Sequence, residues 1–293
     1  MRIVFIGAVE FSRRVLQRLV ETGADVVGVC TLKESIYNSD HVDLGILCEA
    51  QGIPWVYTPD VNSDEAVRWI GDKAPDVIFC FGWSRLLRRR LLDLAPLGVV
   101  GFHPAGLPAN RGRHPIIWSL ILGLRETATT FFFMDEGADT GDILYQSKVE
   151  IVDEDNATTL YEKVIRCALN DCETLVDELA SGSFSRTPQD ERRANTWRKR
   201  SEMDGKIDWR MSARSIHNLV RGLTKPYPGA RFDFQGKEYT VWETEVVSGV
   251  PQNAEPGKIL EVTATGPVVK TGEYGIRLVQ ADPFFRVVPG EYL

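Results

Sequence analysis

Apolar runs and polar breaks alternate through the first half of the chain. Residues 2–7 are a short apolar run, Phe11, Val15, Leu16, Leu19 and Val20 recur at helical spacing, and residues 25–31 form a second run. That succession predicts strand, helix, strand, the opening of a doubly wound, mostly parallel α/β sheet. The alternation continues with a helix over 40–50, a strand over 53–56, a helix over 64–72 ended ahead of Pro75, and a buried strand over 75–81. Arg85, Arg88, Arg89 and Arg90 mark a basic helix, read first as a solvated face. Residues 98–102 are the next buried strand, and a helix over 116–124 begins with Pro115 in its first turn. Strands follow over 127–134 and 143–152. The clearest helix spans 155–181, with a core stripe of Leu160, Val164, Ala168, Cys172, Leu175 and Leu179, and Gly182 ends it.

The pattern then changes. Residues 183–206 are polar and Arg-rich, which predicts a linker between units. Ser212 is suited to cap a helix carrying Ile216, Leu219, Val220 and Leu223, with His217 beside that stripe in a structural role. From Tyr227 onward short strands alternate with Pro/Gly turns, as in a small antiparallel barrel. The expected organisation is an α/β domain over 1–182, the linker, and a barrel domain over 207–293. Tyr239, Val241, Trp242, Val246 and Val247 fit the barrel core, and the same apolar surface is compatible with a homodimer contact.

His103 stands where strand 98–102 gives way to a Pro/Gly-rich loop. Ligands of open α/β sheets bind outside the carboxyl ends of strands, so the imidazole is placed for chemistry; a strand-end histidine that caps its own loop is the equally economical reading of position alone. Gly82-Trp83-Ser84 leaves the sheet at the same edge. Residues 135–142 (Asp-Glu-Gly-Ala-Asp-Thr-Gly-Asp) read as an acidic turn, and Gly137 at the third position fits a calcium loop poorly. Only Gly7 stands at the first turn, without Gly-x-Gly-x-x-Gly, so a dinucleotide site is not supported.

Composition narrows the setting. The chain has 293 residues, 43% of them hydrophobic, and no run approaches the roughly 18 apolar residues of a membrane helix. No signal-peptide pattern precedes the first strand, and the five cysteines are irregularly spaced, which suits reduced packing thiols in the cytoplasm and neither disulfides nor a metal site. A net charge of -7 argues against nucleic acid as the main partner. The acidity is concentrated in residues 1–182, which carry 17 basic and 27 acidic side chains against 17 and 14 in residues 183–293.

Two motifs, read together, carry a resemblance. His103-Pro-x-x-Leu-Pro-x-x-Arg-Gly112 followed by Asp135-x-Gly-x-Asp139-Thr-Gly-Asp142 resembles the signature of the folate-dependent formyltransferases, including the methionyl-tRNA and sugar-nucleotide enzymes. Ile207-Asp-Trp209 and Lys225-Pro-Tyr-Pro-Gly-Ala230 resemble the start of that family's C-terminal, OB-like domain. The resemblance implies a Rossmann-like formyltransferase domain over 1–182 and N10-formyltetrahydrofolate as formyl donor. It implies His103 and Asp139 as the catalytic pair, and donor contacts, largely through backbone, from Phe81, Gly82, Trp83, Leu86, Asp135, Gly137 and Asp142. One departure stands out: the family's asparagine, two residues before the histidine and the oxyanion donor, is Gly101 here. His114 and Asn110, in the same loop region, are the expected replacements, with Ser84 or a main-chain N–H as the alternatives.

The acceptor expected is a nucleotide-linked amino-dideoxy sugar of surface-glycan biosynthesis, its diphosphate met by Arg111, Arg113 and Arg198. Residues 207–293 carry 10 basic and 10 acidic side chains, a neutral module ill-suited to RNA. The alternatives are methionyl-tRNA formylation, or an impaired relative that binds folate or a nucleotide sugar without transfer.

Overall fold

The computed structural model describes residues 1–35 and 39–293. The chain runs β1 (Arg2–Ile6), α1 (Glu10–Glu21), β2 (Asp25–Thr31), α2 (Gly45–Gln51), β3 (Trp55–Tyr57), α3 (Asp64–Gly71), β4 (Val77–Cys80), α4 (Arg89–Leu92), β5 (Val99–His103) and β6 (Arg111–Gly112). It continues with α5 (Pro115–Ile121), β7 (Glu126–Phe133), β8 (Ile143–Glu150), α6 (Ala157–Ser181), β9 (Thr196–Trp197), α7 (Ala213–Leu223), β10 (Ala230–Phe234), β11 (Lys237–Val247), β12 (Ile259–Thr263), β13 (Gly266–Lys270) and β14 (Gly275–Asp282).

Contacts divide the chain into two units. The first comprises Met1–Pro115, Thr127–Val149 and Glu162–Trp197. Its sheet has the order β3-β2-β1-β4-β5-β7-β8, parallel from β3 to β5 and antiparallel between β5 and β7. The central strands are apolar on both faces because the sheet is covered on both: Ile3, Val4, Phe5, Ile6, Ile78, Phe79 and Val100 are fully buried. Beneath the site edge lies an aromatic cluster in which Phe81 packs on Phe79 and Phe131 at 5.1 and 5.4 Å, and Phe102 on Phe11 at 4.2 Å. Each fully buried ring contributes about 1.5–3 kcal/mol to holding this edge together.

The second unit comprises Ile116–Glu126, Glu150–Tyr161 and Arg198–Leu293. It is built on a five-stranded antiparallel sheet of order β10-β11-β14-β13-β12, with α7 laid against it through Ile216, Leu219, Val220 and Leu223. Ser212 caps α7 by accepting from the Ser215 amide at 3.1 Å, as its position in the sequence predicts. Among the described residues no helix is long and apolar enough to cross a membrane. All five cysteines are free, four of them buried.

Three expectations change. The helix predicted over 40–50 begins only at Gly45, because His41 bridges Val9 beside the first turn of the sheet: Glu10 N donates to Asp40 O and Val42 N to Ala8 O. The basic helix shrinks to Arg89–Leu92; Asn62 Oδ1 accepts from the Arg88 amide and holds the preceding residues out of helix. The polar stretch after α6 contains β9, which pairs in parallel with β6.

Candidate active site

β5 delivers His103 to the sheet edge, where its side chain is 5% exposed. The loop that follows is shaped by hydroxyls and an amide on the neighbouring strands. Thr127 Oγ1 donates to Pro104 O at 3.1 Å, Thr130 Oγ1 to Ala105 O at 2.6 Å, and Gln146 Nε2 to Leu107 O at 3.0 Å. Thr130 is His103's partner in the β5–β7 register, so the strand that flanks the imidazole also anchors the loop beyond it. The loop returns to the imidazole at Asn110, whose carbonyl oxygen lies 2.7 Å from His103 Nε2. A carbonyl only accepts, so Nε2 carries a hydrogen and Nδ1 is the ring position left to bind a further proton.

Nδ1 faces Asp139 Oδ2 at 3.5 Å. That separation is too long for a strong hydrogen bond. Asp139 lies in the loop between β7 and β8 with φ +58°. The loop is closed by Asp135, whose Oδ1 accepts from Gly137 N at 2.9 Å and Thr140 Oγ1 at 2.6 Å. Gly141 has no alternative there: a Cβ would stand 1.7 Å from Phe133 O. These contacts are the physical content of the Asp-x-Gly-x-Asp-Thr-Gly spacing. Gly112 N donates to Asp139 Oδ2 at 2.8 Å and ties the two motifs together.

Other predicted residues fall differently. Phe81 is withdrawn from ligand contact: its ring is fully buried, its N–H donates to Ile6 O, and its carbonyl accepts from Ser12 Oγ at 2.6 Å. Arg111 is also corrected. It is 5% exposed, and its guanidinium turns inward to Gln189 Oε1 and to both carboxylate oxygens of Glu191, leaving it no free fork for a diphosphate. The Arg111 cation holds the Glu191 carboxyl below the usual range. Arg113 is exposed and donates to Ser84 O at 2.8 Å. His114 precedes α5 with φ +56°. In the second unit, Arg198 is paired with Asp204 and lies 5.3 Å from the Trp118 ring; this pairing drives the Asp204 carboxyl far below the usual range.

Beside the donor-side residues is an open cleft of about 520 Å³ lined by Leu86, Leu87, Arg85, Arg88, Asp60, Asn62 and Glu136. Leu86 is 55% exposed in it. The indole Nε1 of Trp83 is buried without a hydrogen-bond partner among the described residues. Sequence reasoning missed Thr130, Gln146 and Gln189. The two threonines of β7 that bond the loop read only as β-branched strand formers, and Gln189 sits in a stretch without periodicity.

A strand-end histidine facing the carboxylate of a neighbouring loop is an arrangement suited to moving protons at a sheet edge. The chain matches the formyl transferase family over residues 1–170 and the formyl transferase C-terminal domain over residues 199–283, and it belongs to that family. The methionyl-tRNA formyltransferase of Geotalea daltonii is 32% identical over 304 residues, covering 100% of this chain and 95% of that protein. HypX of Aquifex aeolicus is similar in structure, with a TM-score of 0.70 and 18% identity over 96% of this chain; the chain spans 45% of the HypX chain. The N-formyltransferase of Helicobacter canadensis, solved with folinic acid and dTDP-3-aminofucose, is similar at TM-score 0.70 and 15% identity, covering 94% of this chain and 98% of that one.

Proposed function

We propose that this formyltransferase moves the formyl group of N10-formyltetrahydrofolate to the primary amine of a nucleotide-linked amino-dideoxy sugar, with His103 and Asp139 handling the protons. The observation that carries the reading is the imidazole held between the Asn110 carbonyl and the Asp139 carboxylate. Formyl transfer requires an unprotonated amine to attack the formyl carbon: a C–N bond forms, the bond from that carbon to N10 breaks, and N10 takes up a proton. His103 Nδ1 accepts the proton released by the acceptor amine and is the local source of the one N10 needs, while Asp139 supports the charged ring between those events. With no side-chain donor at Gly101, the side-chain amide of Asn110 or the imidazole of His114 supports the oxygen of the tetrahedral intermediate.

The donor's heterocycle suits the cleft beside Leu86, where one exposed apolar side chain is surrounded by hydrogen-bonding groups. Gly82, Trp83, Leu86, Asp135, Gly137 and Asp142 are the residues assigned to it, and the unpartnered indole N–H of Trp83 is a donor in want of an acceptor. A neighbour of the same fold was solved with folinic acid, which supports the folate assignment. For the acceptor, Arg113 is the candidate phosphate contact; Arg198, like Arg111, is already held by a carboxylate. The charge balance of residues 207–293, 10 basic against 10 acidic, favours a small anionic acceptor over RNA. Reduced, mostly buried thiols fit an enzyme working in the cytoplasm.

Methionyl-tRNA is the second reading, favoured by the relative that is 32% identical along the whole chain. The two separate in one assay: N10-formyltetrahydrofolate with UDP-, dTDP- and GDP-linked amino sugars and with methionyl-tRNA, read by mass spectrometry of each acceptor. Gain of one formyl group on a sugar nucleotide, lost in His103→Ala, is the expected result. Gain on tRNA alone transfers the function to the second reading, and tight folate binding with no acceptor modified removes both.

A further inference from the structure

Gln189 lies 50 residues beyond Asp139 in a polar segment with no periodic signal, yet its side chain closes a ring around the candidate reacting carboxylate. Its Nε2 donates to the main-chain oxygens of Asp139 at 2.9 Å and Gly141 at 2.6 Å. Its Oε1 accepts from Arg111 Nε at 3.1 Å and Nη2 at 2.8 Å. Arginine offers only donors and carbonyls only acceptors, so the amide has one orientation in which every group is satisfied. Arg111 is itself held, buried, by the two oxygens of Glu191.

The next residue after Arg111 is Gly112, whose N–H donates to Asp139 Oδ2. Residues 111 and 112 therefore hold Asp139 from both ends, the carboxylate directly and the backbone through Gln189. The backbone needs holding, because Asp139 is in the left-handed region at φ +58°, which side-chain-bearing residues adopt less readily than glycine.

We infer that Gln189, oriented by Arg111, is a positioning residue that sets the approach of Asp139 to His103. The inference rests on the reading of His103 and Asp139 as the reacting pair. A purely architectural tie would knit residues 189–191 to the loop and change melting alone; a positioning residue changes turnover and the environment of the imidazole.

Gln189→Glu keeps the Arg111 contact but faces two carbonyls with a group that cannot donate, and Gln189→Met is of similar length, uncharged and without a donor. The measurements are kcat and both KM values, thermal melting, and the imidazole 15N resonances of His103, assigned with His103→Gln. Both variants are expected to lose about 10–100-fold in kcat with KM values within about threefold, since small misplacement at a reacting group has that scale. The His103 resonances are expected to move toward those of Asp139→Asn. Wild-type kcat and wild-type His103 resonances in both variants overturn the inference, and so does failure of both to fold, which makes Gln189 a folding tie. If Asp139→Asn leaves kcat intact, the reading of the reacting pair falls, while His103 resonances displaced in Gln189→Met still report the positioning.

Discussion

One oxygen, Asp139 Oδ2, accepts from Gly112 N at 2.8 Å and faces His103 Nδ1 at 3.5 Å. The amide fixes where the oxygen stands, and the oxygen decides what the imidazole meets when it takes a proton. The loop carrying the histidine therefore also orients the histidine's partner.

Asp139→Asn tests that partnership with little change of shape. Only the amide oxygen can accept from Gly112 N, so the substituted side chain keeps its orientation and loses its charge. Turnover is expected to fall about 10²–10⁴-fold, the range for impaired general acid–base catalysis. Steady-state formyl transfer checks it, and an undiminished rate would remove the carboxylate from the proton chemistry.

Asn110 offers a separable test, because His103 contacts its backbone and not its amide. Asn110→Asp keeps the shape and the carbonyl contact but deletes the side-chain N–H donors. If the amide supports the oxyanion, kcat and kcat/KM fall together by about 10²–10³. Asn110→Gly, which tolerates the φ of +64° at this position, should show the same loss. Retained turnover in both moves the role to His114, for which His114→Ala is the matching experiment.

The sheet and its edge were legible because they depend on local composition. Apolar runs such as 77–80 and 99–102 have few other uses, and the loops at their ends break pattern abruptly. The paired motifs around His103 and Asp139 point to the candidate site through family likeness. What escaped depends on partners far along the chain. Nothing in the sequence turns Arg111 inward, since an arginine reads as surface until Gln189 and Glu191 are folded beside it. Phe81 gives no sign in the sequence that its ring packs in the aromatic cluster beneath the sheet edge. The two-residue strands β6 and β9 are too short to show a period, and they exist because the 110–113 backbone lies against 195–197.

His217 gives the second unit a pH dependence. Its Nδ1 contacts the carbonyl and hydroxyl of Thr244 at 3.1 Å each, and burial, with Arg221 and Arg214 nearby outweighing Asp153, lowers its pKa. Above the ordinary histidine value the ring is neutral in both folded and unfolded chains. As pH falls through about 6.5 the unfolded chain takes the proton first, so stability declines until the lowered folded value is passed. Melting between pH 7.5 and 5 should show this decline. His217→Asn, which keeps a donor near the Nδ1 position, should flatten it, so that wild type and variant converge on acidification; parallel curves would mean that His217 titrates alike in both states.

The glycine at 101 is best understood by what fills its place. A Cβ built there would stand 2.8 Å from Met134 Cγ and 2.9 Å from Phe132 Cζ, so the space an asparagine would need is occupied by two apolar side chains. Gly101→Asn should therefore not restore an oxyanion donor by itself. It is expected to lose about 1–3 kcal/mol of stability, the usual cost of overpacking, with no gain in turnover. Adding Met134→Ala removes one of the clashing groups and should recover part of that loss in urea unfolding. A stable, faster Gly101→Asn single variant would show that Met134 and Phe132 yield easily. The chain would then lack only the asparagine, and the roles given to Asn110 and His114 would lose their purpose.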